Sequence, residues 1–122
     1  MKLTNQTIYN YALALNNAFQ DSSQRLPVKV NFYLQKNKTT LTNLAQDIEA
    51  TRMDIIRNYG APSDDGTQFI IPKDKIEEAQ KELNDLFALE QDVNIYTINI
   101  DSLSDDLTLT TGQMEAIMFM ID

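Results

Sequence analysis

The chain has 122 residues, of which 43% are hydrophobic and 23% charged, a composition typical of one globular domain and not of a disordered tail. It contains no cysteine and no histidine, which excludes disulfides, thiolate nucleophiles and most zinc sites. Its formal net charge of −8 disfavours general binding to nucleic acid or to an anionic membrane. No apolar run reaches the roughly 20 residues of a membrane span and no signal peptide opens the chain, so we expect a soluble intracellular protein.

The N-terminal half of the chain predicts two helices. Residues 5–20, capped by Thr4 or Asn5, carry one apolar stripe with helical spacing: Ile8, Tyr11, Ala12, Leu15 and Phe19. After a turn, Pro27 suits the first turn of a second helix, which meets no further proline or glycine before Gly60. Two alternatives remain open for this segment: a continuous helix of about 50 Å, or a break near the threonine-rich residues 37–40.

The second helix carries a heptad repeat of apolar residues. A compact domain of this size has a radius of gyration of about 14 Å, so a helix of about 50 Å would leave part of its apolar stripe uncovered. We therefore expect a homo-oligomer assembled through the long helix. The interface residues we expect are Leu34, Leu41, Ile48 and Ile55.

The C-terminal half of the chain predicts shorter elements. They are a loop at 60–67, a short strand at 68–71, an amphipathic helix at 74–89, a strand at 93–100, a second short strand at 107–109, and a last helix opened by a Thr110–Gln113 capping box. The expected fold class is α+β and dominated by helices, in the order α, long α, β, α, β, α with a small sheet. We expect one domain over 1–122, in which loop 60–67 separates an N-terminal helical pair from a C-terminal β-α-β-α part.

No phosphate loop, dinucleotide fingerprint, hydrolase elbow or zinc spacing is present, so we expect no cofactor, no metal and no enzymatic activity. The acidic residues at 64–65 and 101–106 could in principle bind a cation or form an acid/base pair, but aspartates beside glycine and serine are typical of turns, and we favour turns. Met114, Met118 and Met120, with Phe119, are interpreted as the inner face of the last helix in preference to an adaptable binding surface.

Charge is segregated along the chain. Residues 22–46 carry four basic side chains and no acidic one, whereas the rest of the chain holds the other six basic and all eighteen acidic side chains. Two ammonium groups beside an aromatic ring suit a phosphate next to a stacked base. The candidate residues for a small anionic ligand of the nucleotide class are Arg25, Lys29, Asn31, Phe32, Tyr33, Lys36 and Lys38. The alternative is that these lysines form ion pairs with acidic residues of the same fold or of a neighbouring copy, while Tyr33 belongs to the core.

Three blocks of the sequence resemble small uncharacterised proteins, a domain of unknown function, of tailed bacteriophages and prophages of low-GC Gram-positive bacteria. The blocks are residues 26–37 (LPVKVNFYLQKN), 82–86 with Leu89 and Glu90, and a C-terminal block of Leu109, Thr110, 114–117 and 119–122. The resemblance implies a phage or prophage origin and location in the host cytoplasm or, alternatively, in the virion. It supplies no activity and no functional residues.

These observations lead to one functional expectation and one alternative. We expect a non-enzymatic phage protein that counters host antiviral defence by sequestering a small nucleotide-derived signal or by binding a host defence protein. The alternative is a structural protein that assembles or accompanies the virion or tail module. We expect neither general nucleic-acid binding nor membrane association.

Overall fold

The computed structural model describes residues 1–20, 26–103 and 109–122. Its strands and helices, in chain order, are β1 (Lys2–Thr4), α1 (Asn5–Ala18), α2 (Val28–Tyr59), β2 (Ala61–Pro62), β3 (Phe69–Ile70), α3 (Ile76–Ala88), β4 (Glu90–Asp92) and α4 (Thr111–Ile117). Short 3₁₀ turns lie at Lys73–Lys75, Ile100–Ser102 and Met118–Met120. The predicted fold class, α+β dominated by helices, is confirmed. Among the described residues, no helix combines the length and the apolar content that crossing a bilayer requires.

The long helix α2 is continuous, which settles the two alternatives that the sequence left open. Its threonines cost only a few tenths of a kcal/mol each in helix propensity, whereas burying one leucine or isoleucine contributes about 1.5–3 kcal/mol. Four apolar side chains along one face of α2 are buried by the rest of the chain: Val30, Leu34, Leu41 and Ile48. The helix ends at Tyr59 and is capped by Gly60, where a Cβ atom would lie 2.7 Å from the Ile56 carbonyl oxygen.

Helix α1 packs against α2, α3 and α4. The Thr4 hydroxyl accepts a hydrogen bond from the Thr7 backbone N–H at 3.2 Å, so the predicted cap is formed. Ile8, Ala12 and Leu15 of the predicted stripe are buried, and Tyr11 and Phe19 are half-buried beside them. Because α1 contacts three helices, its apolar stripe is the centre of the core.

The sheet pairing is small and antiparallel. Strand β1 pairs with β4, with Leu3 opposite Gln91, and β2 pairs with β3 in a hairpin with Pro62 opposite Phe69. Strand β3 lies within the strand predicted at 68–71. Strand β1 was not predicted, because an alternating pattern cannot be recognised over three residues. Gly66 sits in the hairpin turn with φ of 74°, a conformation that glycine adopts without steric cost.

The strand predicted at 93–100 is wrong. The strand in this region is β4, which ends before it, and of the predicted residues only Ile98 forms a bridge, a single parallel one to Ile121. Val93 and Ile98 are buried as their apolar character required, but the backbone of the segment docks on other partners. For the strand predicted at 107–109, residues 107–108 lie outside the described ranges and Leu109 belongs to no strand.

The last helix begins as predicted. The Gln113 N–H donates to the Thr110 hydroxyl and the Thr110 N–H donates to the Gln113 side chain, both at 3.1 Å. After Ile117 the chain tightens into a 3₁₀ turn, so the helical spacing assumed for the methionines fails. Met120 is fully buried and Met114 is half-buried, but Met118 is 66% exposed, so its assignment to the inner face is corrected.

Candidate ligand-binding site

Four of the seven candidate ligand residues share one open face near the start of α2. Lys29, Phe32, Tyr33 and Lys36 are spaced by three and four residues, which places them within about 100° around the helix axis. We call these four residues the cation–aromatic face. Lys29 and Lys36 are exposed, Phe32 is 52% exposed, and Tyr33 is half-buried.

Each lysine of this face lies over an aromatic ring of the same face. Lys29 Nζ is 5.6 Å from the centre of the Tyr33 ring, and Lys36 Nζ is 5.5 Å from the centre of the Phe32 ring. The two rings are 6.1 Å apart and inclined at 53°. Both distances between ammonium and ring lie within the range of cation–π attraction, which orders the long lysine side chains before any ligand arrives.

Tyr96 extends the aromatic surface, although no sequence pattern predicts its position beside Tyr33. Its ring lies 5.2 Å from that of Tyr33, and the residue is 38% exposed. It is held by the side chain of Asn37, which donates to the Tyr96 carbonyl oxygen and accepts from the Tyr96 N–H, both at 2.8 Å. The sequence did contain one indication of such a contact: Asn37 lies in line with the apolar residues of the predicted helix, where a buried amide needs a hydrogen-bond partner.

Two further candidate ligand residues, Asn31 and Lys38, do not lie on this face. Asn31 and Lys38 lie on α2 about 160° around the axis from Lys29 and Lys36, beyond the buried stripe. Their assignment to the same site is therefore corrected, because residues two, five or nine positions apart lie on well-separated sides of a helix. Arg25 lies outside the described residues.

The lysines of the face have no acidic partner among the described residues. The ion pairs formed between described side chains lie further along α2, where Arg52 Nη2 is 2.6 Å from Glu49 and Arg57 Nη1 is 3.9 Å from Asp54. The hydrogen bond from Arg52 lowers the pKa of Glu49 below its ordinary value. Within residues 1–20, 26–103 and 109–122, no carboxylate thus approaches Lys29 or Lys36 within 4.0 Å.

The residues expected to form the oligomer interface mostly lie inside the chain itself. Leu34, Leu41 and Ile48 are 2%, 0% and 3% exposed, and Ile55 is half-buried against the same core. The assignment of this stripe to a second copy is therefore corrected: α2 packs against α1 and α3 of its own chain, and the stripe belongs to the core of that chain.

Asp65 is part of a turn, as the sequence analysis favoured. One of its carboxylate oxygens accepts from the Ser63 hydroxyl at 2.5 Å, the Thr67 hydroxyl at 2.8 Å and the Thr67 N–H at 3.1 Å. Asp101 donates its N–H to Asn99 at 2.9 Å, while Asp105 and Asp106 lie outside the described residues. Over the part of the chain that is described, no three acidic side chains come together as metal ligands would.

The hairpin containing Asp65 should respond to pH in a defined window. The hydrogen bonds from Ser63 and Thr67 lower the pKa of Asp65 to about 2. A lowered pKa means that the charged form stabilises the hairpin above the ordinary aspartate pKa of about 4, and that this stabilisation is lost as pH falls through about 2. In an NMR titration we expect the Thr67 amide to shift with a midpoint near pH 2. A midpoint near 4 would contradict these hydrogen bonds, and the Leu15 amide of α1, a helix without acidic residues, is the control.

Two grooves among the described residues lie away from the cation–aromatic face. One, of about 230 Å³, lies between α1 and α2, and the other, of about 370 Å³, lies between α1 and α4. The first is lined by Tyr9, Leu13, Asn16, Thr42 and Glu49 with smaller neighbours, and the second mainly by alanine and glycine.

Comparisons with known proteins identify no relative of this chain. A scan against protein-family models, a search of curated proteins and a search of solved structures each gave no match.

Proposed function

We propose that this protein is a non-catalytic binding protein that takes up a small anionic ligand carrying an aromatic ring, of the nucleotide class. The observation that carries the proposal is the cation–aromatic face itself: two exposed ammonium groups, each over a ring, with no carboxylate within 4.0 Å among the described residues. The ammonium groups would bind phosphate, and the exposed Phe32 ring would stack on the base.

The start of α2 adds to the attraction for an anion. The N-terminus of a helix carries a partial positive charge, and Pro27, which precedes α2, offers no side chain to satisfy the first N–H groups. The cationic side chains raise the local positive potential in a chain whose net charge is −8. A small anion is therefore favoured over a long polyanion, which the acidic remainder of the surface would repel.

Catalysis is not part of the proposal. The chain has no histidine and no cysteine, and the cation–aromatic face offers only ammonium groups, a phenol and a phenyl ring. These groups can bind and orient a ligand, and the proposal assigns them no other role. Sequestration of a nucleotide-derived signal of host defence is the biological role we propose, and this part rests on the phage resemblance of the sequence alone.

Charge reversal on the face should remove binding. We expect ATP to bind the wild-type protein, and Lys29→Glu with Lys36→Glu to weaken binding by roughly tenfold for each lost charge-assisted contact. Phe32→Ala should weaken ATP binding by at least about fivefold through loss of stacking, which contributes about 1–3 kcal/mol per base. The measurement is isothermal titration calorimetry with ATP, adenosine and inorganic phosphate as probes.

The matched control is Lys38→Glu, which makes the same charge change as Lys36→Glu alone on the same helix, but about 160° away around its axis. It should leave ATP binding within about twofold of wild type. If Lys38→Glu weakened ATP binding as much as Lys29→Glu, the binding would reflect a general attraction of ATP to positive charge and not a site. Absence of binding by ATP, adenosine and phosphate to the wild-type protein would overturn the proposal.

A further inference from the structure

The solvent-facing side of α2 carries a second regular pattern, distinct from its buried stripe. Eight positions follow one another at alternating spacings of four and three residues, which keeps them in one line along the helix. They are Lys29, Tyr33, Lys36, Thr40, Asn43, Asp47, Ala50 and Asp54, and we call them the outer seam. Tyr33 and Thr40 are half-buried and the other six are exposed, so this line remains open after the chain has folded.

Charge is divided along the outer seam. Both of its basic residues, Lys29 and Lys36, lie in the N-terminal half, and both of its acidic residues, Asp47 and Asp54, lie in the C-terminal half. Lys29 is as far from Lys36 as Asp47 is from Asp54, seven residues in each case. A second copy of the seam that runs in the opposite direction would therefore place acidic residues opposite the basic ones.

We propose that the outer seam is a homodimer interface in which two α2 helices pack antiparallel about a two-fold axis. With the axis between residues 41 and 42, Lys29 lies opposite Asp54 of the partner subunit, and Lys36 lies opposite Asp47 of the partner subunit. The symmetry repeats both pairs, which gives four ion pairs in the dimer. A parallel arrangement in the same register would place like charges together, so the charge pattern selects the antiparallel one.

Among the described residues, no strong ion pair holds the charged side chains of the seam away from these contacts. Within the described ranges, Lys29 and Lys36 have no carboxylate within 4.0 Å, and Asp54 has only the long 3.9 Å contact to Arg57, with both side chains more than half exposed. Near the proposed axis the seam carries Thr40 and Asn43, whose size permits close approach of the two helices. The 26 residues from 29 to 54 span about 39 Å, but the seam is mostly polar, so we expect a weak dimer of micromolar affinity.

This interface goes beyond the proposed ligand site and shares two lysines with it. A nucleotide on Lys29 and Lys36 and the aspartates of the partner subunit would compete for the same ammonium groups, so ATP should lower the dimer fraction. The acidic half of the seam belongs to the dimer alone. Substitutions there separate the two proposals.

Sedimentation velocity of the full chain from about 5 to 500 µM tests the interface. We expect wild type to shift from monomer to dimer, and both Lys29→Asp with Lys36→Asp and Asp47→Lys with Asp54→Lys to weaken association by at least tenfold. The second variant also reduces the net negative charge, so loss of its dimer would not be due to general repulsion. Mixing the two variants should restore a dimer, because an all-acidic seam then meets an all-basic one. Restoration also shows that both variants are folded.

The orientation has its own measurement. The chain has no cysteine, so Asn58→Cys on the exposed end of α2 can carry a single spin label. In the antiparallel dimer the two labels are 33 residues apart along the axis, about 50 Å, whereas a parallel dimer would place them about 10–20 Å apart. A distance near 50 Å supports the proposal even where a charge variant fails to fold.

The outcomes distinguish the two proposals. A wild-type monomer at 500 µM, a dimer that both charge variants retain, or a short distance between the labels would overturn the interface. If Asp47→Lys with Asp54→Lys abolishes the dimer but binds ATP as the wild-type protein does, both proposals are supported. A dimer with the expected distance and no ATP binding by any variant would leave the interface standing and remove the ligand site.

Discussion

Leu41→Ala should destabilise the folded chain by about 3–5 kcal/mol. Leu41 is fully buried near the middle of α2, and truncation would remove its transfer free energy and leave a cavity among closely packed neighbours. Urea denaturation followed by circular dichroism measures the change. Because Leu41 packs within its own chain, the loss should be the same at 5 and at 100 µM protein, whereas an interface residue would give a loss that depends on concentration.

Leu89→Ala is the matched control, since it makes the same chemical change at a side chain that is 59% exposed. We expect it to change the free energy of unfolding by no more than about 0.5 kcal/mol. A small effect of Leu41→Ala that grows with dilution would instead return Leu41 to the interface role that its heptad spacing suggested.

Asn37→Leu should cost about 2–4 kcal/mol although it makes the helix more apolar. Asn37 is fully buried, and its amide satisfies both the N–H and the carbonyl oxygen of Tyr96. Leucine would leave these two partly buried backbone groups without the amide that satisfies them, and an unsatisfied buried group costs about 1–3 kcal/mol. Urea denaturation measures the global loss. Hydrogen exchange at the Tyr96 amide should accelerate by at least about tenfold, because its acceptor is gone.

Asn31→Leu makes the same substitution at an exposed position of the same helix. It should leave both the unfolding free energy and the exchange rate of Tyr96 close to wild type. If Asn37→Leu proved neutral or stabilising, the segment around Tyr96 would have to find other hydrogen-bond partners, and the aromatic extension of the candidate site would lose its support.

The helices were predictable from the sequence because their signals are local. Caps such as Thr4 and the Thr110–Gln113 box, and apolar residues three and four apart, act within one or two turns of the chain. The amphipathic pattern at 74–89 predicted α3 (Ile76–Ala88) within two residues. The face of Lys29, Phe32, Tyr33 and Lys36 was predictable for the same reason, once a helix was assumed.

The strand predicted at 93–100 failed because a strand needs a partner, and the partner is not local. β-branched residues there require burial, and Val93 and Ile98 are buried, but burial alone does not supply a ladder of hydrogen bonds. The side chain of Asn37 and the backbone at residues 120–122 satisfy the segment instead. Both partners lie far away in sequence, and no pattern of residues within 93–100 predicts them.

The sequence by itself determined the fold class, the positions and caps of the helices, and the separation of basic from acidic residues along the chain. Only the tertiary structure decided that α2 is continuous, that Leu34, Leu41 and Ile48 face their own chain, and that Tyr96 stands beside Tyr33. The physical reason is that helix signals act over three or four residues, whereas burial depends on which distant segments arrive to cover a face. An apolar stripe in a sequence predicts that its residues are buried, but which segments bury them is known only from the folded structure.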